Sequence, residues 1–171
     1  MEHLLDDIQK AVGAELWLLA VTGALLVPDV AGALAHRSGE AKGNRYRAWW
    51  DSTELRVAYD GYLSSADAYF YRCSLAHQST GGHPRAATGR VLFLPPGPGT
   101  IHLLRMEQMG PNAENAVALD IQAFVADVVG VARGWLNAKR ADPIVSVNLA
   151  KGARLHPGGI APFIVGYPVI G

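Results

Sequence analysis

Cysteine is nearly absent from this chain of 171 residues: Cys73 stands alone. A single thiol excludes an internal disulfide framework and any zinc or iron–sulfur centre built on several cysteines, and it predicts a reducing, cytoplasmic setting. An excess of either charge is missing too, since 15 Lys and Arg balance 15 Asp and Glu. With no bulk field, any contact with nucleic acid has to come from a local patch. Membrane-length apolar runs are missing at the N-terminal end, where the apolar stretch Leu16–Pro28 holds thirteen uncharged residues. A bilayer needs roughly 20. The opening Met1-Glu2-His3-Leu4-Leu5-Asp6-Asp7 also lacks the positive region of a secretory signal. Neither a signal peptide nor a membrane span is expected, and no membrane partner. No repeat at solenoid periods is present.

Missing motifs narrow the chemistry further. Gly97-Pro98-Gly99-Thr100 has no Lys-Ser or Lys-Thr after it, so it reads as a turn and not as a phosphate-cradling loop. There is no His-Glu-x-x-His pair for a helical zinc site, and Cys73, His77 and His83 offer three ligands without an obvious fourth. Neither a metal nor a cofactor is expected.

What remains is a half-apolar chain, 50% hydrophobic and 18% charged with four Trp, which excludes a solvated, disordered polymer. The expected fold is mainly α: an antiparallel helical bundle over residues 1–142 as one domain, with a small antiparallel β-hairpin near 90–106 and an extended tail over 143–171. Leu4, Leu5, Ile8, Val12, Leu16 and Leu19 recur at helical spacing and predict a helix over Glu2–Leu26, ended by Pro28. Pro28-Asp29 could open a short second helix through Leu34, followed by a polar loop over His36–Asn44. Arg45-Tyr46-Arg47-Ala48-Trp49-Trp50 predicts a basic, aromatic helix.

Ser64 or Ser65, reinforced by Asp67, caps a helix running to about Gln78, with Gly81-Gly82 and Pro84 in the loop after it. Arg90–Leu94 and Thr100–Met106 read as strands joined through Pro95–Gly99, and Leu119–Ala138 as a long amphipathic helix. The tail from Pro143 carries four Pro and five Gly beside Phe163, Ile164, Val165, Tyr167, Val169 and Ile170. It is too apolar for disorder and too rich in Pro and Gly for a packed helix, so it is expected to lie extended against its own chain or a partner chain.

The capped helix holds the chemistry. Ser74-His77 or Cys73-His77 has the spacing of a nucleophile pair, although residues three or four apart on a helix also meet without catalysis. Arg72 followed five residues later by His77, at a helix end and after Tyr69-Phe70-Tyr71, resembles the Arg-x4-6-His motif of the HEPN superfamily of helical ribonucleases and defence proteins. The resemblance covers roughly Leu16–Gln78 and the final long helix. Where such proteins favour a polar residue directly after the Arg, this chain has Cys73.

The resemblance implies a metal-independent endoribonuclease of toxin or phage-defence type, with Arg72 and His77 catalytic and Ser74 and Gln78 as polar support. Its implied partners are an RNA substrate, a second copy in a homodimer, and an antitoxin or other protein. RNA can be cut by its own 2′-hydroxyl if a base, an acid and a cation are at hand. His suits the first two roles and Arg the third. Five helical residues turn by about 140°, so Arg72 and His77 do not share a face, and a two-fold pairing of helix ends would supply both histidines. Arg45, Arg47 and Trp49 are candidates for phosphate contact and base stacking, or else core and solvated face. Arg72 could equally pair with Asp29, Asp67 or Glu15 inside the bundle, and the alternative function is a non-catalytic helical module that binds a protein or a nucleotide.

Overall fold

A computed structural model describes residues 1–78, 83–107 and 115–171, the side chains of His77 and Gln78 excepted. Helices dominate it, as the apolar periodicity requires. The single helix expected over Glu2–Leu26 is two, α1 (Glu2–Gly13) and α2 (Trp17–Leu34). Glu15 adopts φ 57° at the corner, and the Leu16 N–H reaches back to the Ala11 carbonyl at 2.8 Å. This left-handed residue just past Gly13 is how helices commonly stop.

Pro28, expected to end a helix, lies inside α2 and is buried. An interior proline costs about 3 kcal/mol locally. Packing outweighs it here, because α2 is the axis of the core: Ala20, Val21, Ala24, Leu25, Val27 and Ala31 are all buried. Among the described residues it is also the one helix long and apolar enough to cross a membrane, but 56% of it is buried inside the protein.

The basic, aromatic helix forms as α3 (Gly43–Asp51) and turns Tyr46, Trp49 and Trp50 inward. It crosses α2 closely at Gly32, where an added Cβ would lie 2.8 Å from the Arg45 carbonyl oxygen. Backbone cannot yield as a side chain does. Gly32→Ala should therefore destabilise the protein by about 1–3 kcal/mol despite alanine's better helix propensity. Urea unfolding would measure this, and an unchanged midpoint would refute the close crossing.

A one-turn α4 (Leu55–Ala58) leads to α5 (Ser65–Gln78). The Ser64 Oγ accepts from the Asp67 N–H at 3.1 Å and donates to Asp67 Oδ2 at 2.9 Å, giving the predicted cap. The loop expected after it is partly outside the described residues, which omit 79–82.

The sheet departs from expectation. β1 (Arg90–Leu94) and β2 (Leu104–Met106) are not neighbours: β3 (Ala116–Asp120) lies between them, parallel to β1 and antiparallel to β2. Val91 faces Val117 in register, and Arg105 faces Val117 from the other side. The predicted hairpin is thus replaced by a crossover. Ala116-Val117-Ala118-Leu119 is a continuous apolar run because a central strand covered on both faces needs no alternation.

β3 passes directly into α6 (Ile121–Lys139), where Asp120 Oδ1 accepts from the Ala123 N–H at 2.8 Å. Phe124 of α6 meets Phe93 of β1 at 5.2 Å and Tyr59 at 5.7 Å, and Tyr59 meets Trp50 at 6.0 Å. This aromatic line joins sheet to helices. The Tyr59 hydroxyl donates to Asp127 Oδ2 at 2.9 Å, so its burial leaves no stranded polar end.

The tail also departs from expectation. Pro143 opens a helix, α7 (Pro143–Ala150), capped by Asp142, whose Oδ1 accepts from the Ile144 and Val145 N–H groups. Proline at a first helical position loses no hydrogen bond, so it starts this helix and does not forbid it. Asn148 then donates to the carbonyls of Leu34 (3.1 Å) and His36 (2.9 Å), tying α7 to the end of α2. Beyond it the chain doubles back as a nested hairpin: β4 (Leu155–His156) pairs with β7 (Val169–Ile170), and β5 (Gly159–Ile160) with β6 (Ile164–Val165). Its apolar side chains do not dock on their own chain, one of the two destinations expected; Phe163 is 84% exposed and Ile170 78%.

Candidate functional site

The face of α5 carrying Asp67 and Tyr71 is fixed to the segment before β1. Asp67 Oδ1 accepts from the Ala87 N–H at 2.7 Å, and the Tyr71 hydroxyl donates to the Thr88 carbonyl at 2.7 Å. Asp67 is therefore part of a cap and a loop anchor, which removes it as a partner for Arg72. Glu15 is removed as well, being exposed at the corner between α1 and α2.

Asp29 is the partner. Its Oδ2 lies 2.5 Å from Arg72 Nε, with the Asp29 side chain 7% exposed and Arg72 20%. Burial raises the Asp29 carboxyl above its usual range and outweighs the pull of Arg72 in the other direction. For Arg72, burial alone would lower the pKa, but Asp29 and Cys73 together outweigh it and raise it, so the guanidinium stays charged. Arg72 Nη1 also approaches Cys73 Sγ at 3.8 Å.

Around this pair the interior is unusually polar for a helix junction. The Tyr69 ring packs edge-on to Tyr46 at 5.3 Å, and burial, with Cys73 next to it, raises the Tyr69 pKa. Tyr46 is fully buried, which holds its hydroxyl protonated. Among the described residues its hydroxyl has no hydrogen-bond partner, nor does the buried Ser74 Oγ. Ser74, expected as polar support, thus points into the protein. The side chains of His77 and Gln78, the other two expected members, lie outside the described residues.

The proposed basic, aromatic contacts separate. Trp49 is a correction: it is 4% exposed and packs edge-on to Trp135 at 6.3 Å, so its ring belongs to the core and offers no stacking face. Arg45 is engaged with the loop before α3, donating to Ser38 Oγ at 2.8 Å and the Glu40 carbonyl at 2.5 Å. Arg47 is exposed and donates to the Gly43 carbonyl at 3.2 Å.

Two depressions flank this region. A groove of about 370 Å³ is lined by Asp29, Ser38, Gly39, Asn148 and Lys151, so the residue that holds Arg72 also borders a surface groove. A larger cleft of about 430 Å³, with Arg56, Arg105, Asp51, Asp60 and Ser65 on its walls, includes neither the expected Arg72 and His77 nor their polar support, although Asp67 borders it. Arg105 there donates to the Gly61 carbonyl. Sequence reasoning missed this cleft because its residues come from α3, the turns around α4, the start of α5 and the sheet, with no shared spacing. Among the described residues, no three His, Cys, Asp or Glu side chains group as metal ligands. Set against family models, curated proteins and solved structures, the chain matches none of them.

Proposed function

We propose that the protein is a metal-independent endoribonuclease of HEPN-like type, acting as a homodimer in a toxin or phage-defence role. In this reading the helices around α2 form an antiparallel bundle and the ends of α5 meet across a two-fold axis. The observation that carries it is the anchoring of Arg72 by Asp29: a charged guanidinium is held in α5 five residues before His77, and part of it reaches solvent. Binding through Nε, with Nη1 against Cys73 Sγ, leaves Nη2 as the donor for a phosphate.

The chemistry follows from those groups. One His77 takes the proton of the 2′-hydroxyl, whose oxygen attacks phosphorus. Arg72 stabilises the charge on the phosphorane, and the bond to the 5′ oxygen breaks as the second copy's His77 gives that oxygen a proton. The products are a cyclic 2′,3′-phosphate and a 5′-hydroxyl. Incubated with mixed RNA in EDTA, the protein should produce cyclic phosphate ends, and His77→Ala should reduce them by at least about 100-fold. RNA left intact by the wild-type chain refutes the proposal.

One observation favours a second reading. Arg72 is 80% covered and its partner nearly fully so, which is how a structural ion pair is built. A helical module that binds a protein or nucleotide without catalysis would keep this pair and leave RNA uncut.

A further inference from the structure

The single chain leaves two apolar surfaces uncovered. One is the C-terminal arm, where Leu155, Phe163, Ile164, Val165, Tyr167 and Ile170 are all exposed by 46% or more. The arm is closed on itself, with main-chain bonds between Arg154 and Gly171 at 2.9 and 3.2 Å. None of its residues belongs to the hydrophobic core cluster. A lone two-stranded hairpin is marginal in water and becomes stable when it packs on a helix. The arm therefore lacks a helical surface.

The other surface is such a helical surface without a cover. A groove of about 390 Å³ runs along the seam of α1 and α2, lined by Leu4, Ile8, Ala11, Leu16 and Leu19, with Asp7 and Lys10 as its polar members. Leu16, Leu18 and Leu19 are exposed by 50–63%. Its floor is close to backbone at Gly23, where Ile8 leaves no room for a Cβ.

We propose that the arm of each chain seats in the α1–α2 groove of a second copy, so that two chains clasp each other by exchanging arms. Three features select this occupant. The arm and its stem carry Lys151 and Arg154 and no acidic side chain. Of the acids on α1 and its corner, Glu2 pairs with Arg140, Asp6 with Arg133 and Asp7 with Lys10, which leaves Glu15, beside the groove, without a cation among the described residues. The unpaired Glu15 carboxylate fits a basic arm and disfavours an anionic lipid surface. The stem of the arm, Gly152–Arg154, borders Met1–His3 at the start of α1, yet the folded arm leaves its own groove empty. Finally, reciprocal exchange between two copies is the smallest closed arrangement that covers every arm and every groove, while an open head-to-tail chain leaves one of each bare. This inference concerns assembly and does not depend on RNA cleavage.

The test measures mass in solution by light scattering coupled to size exclusion, using the full chain. The wild-type protein should have twice the chain mass. Leu19→Glu in the groove and Phe163→Glu in the arm should each give the single-chain mass with an unchanged circular-dichroism spectrum, since both side chains are exposed. An equimolar mixture of the two variants should regain dimer, because one intact arm meets one intact groove. A monomeric wild-type chain overturns the proposal, as does either variant remaining dimeric. Monomer that floats with vesicles of mixed anionic and zwitterionic lipid would overturn it in favour of a membrane surface.

Discussion

Arg72→Ala should cost about 3–4 kcal/mol of folding stability, toward the lower end of what breaking a buried ion pair costs because Arg72 keeps some solvent contact. The loss arises from Asp29, left charged and nearly buried with no cation beside it. Replacing both members, as Asp29→Leu with Arg72→Met, should recover most of the loss, since apolar side chains of similar volume require no desolvation of charge. Denaturant unfolding of the two single variants, the pair and the wild type forms the cycle. Equal costs for the single and double variants would show that the pair does not hold the junction.

The pH dependence has a definite sign. Burial raises the folded pKa of Asp29 above that of the unfolded chain, so the folded state holds this proton more tightly. Its contribution is therefore largest in acid and falls as pH rises through the folded value. Without Arg72, the influence that opposes burial is gone and Asp29 moves higher still. Arg72→Ala should accordingly be more destabilised at pH 8 than at pH 5, and a loss that grows toward acid would contradict the burial assigned to Asp29.

Trp50→Ala should cost about 3–5 kcal/mol, the range for removing a large aromatic side chain from a core. Trp50 is 1% exposed and starts the line of rings through Tyr59 and Phe124 to Phe93. Its removal opens a cavity where helices meet sheet, and the Tyr59 ring loses the face it leans on. A domain of this size is stable by about 5–15 kcal/mol, so the variant should melt far below the wild type. Val57→Ala is the control: Val57 is 71% exposed and its truncation should stay within about 0.5 kcal/mol. Similar melting temperatures for Trp50→Ala and Val57→Ala would show that the aromatic line is not continuous.

The parts of the fold that could be read from sequence are those written in local signals. The cap of α5 is spelled by Ser64 and Asp67, and α6 by the stripe from Ile121 to Trp135. Where two signals conflict, the sequence misleads. Pro28 and Pro143 are the same residue type, but one is carried inside α2 by packing and the other starts α7. β3 escaped because an apolar run of strand length before a helix is indistinguishable from that helix's first turn. For the site, sequence could offer three acids for Arg72 but not choose between them, since the choice depends on how α2 crosses α5. Trp49 shows the opposite difficulty: an aromatic beside arginines suits a stacking surface or a core equally until α3 is rotated into place.

The order of strands in the sheet sets the order of events during synthesis. β1 and β2 leave the ribosome before β3, the strand that both must pair with. Until residue 120 has emerged, each presents unpaired backbone to solvent, and the parallel β1–β3 ladder cannot zip from a turn as a hairpin does. The helical layer from α1 to α5 precedes all three strands in the chain and joins neighbours in sequence. A nascent chain therefore passes through an interval with α1 to α5 made, α6 still to come and two strand edges open, when it is most exposed to edge-to-edge association with other chains.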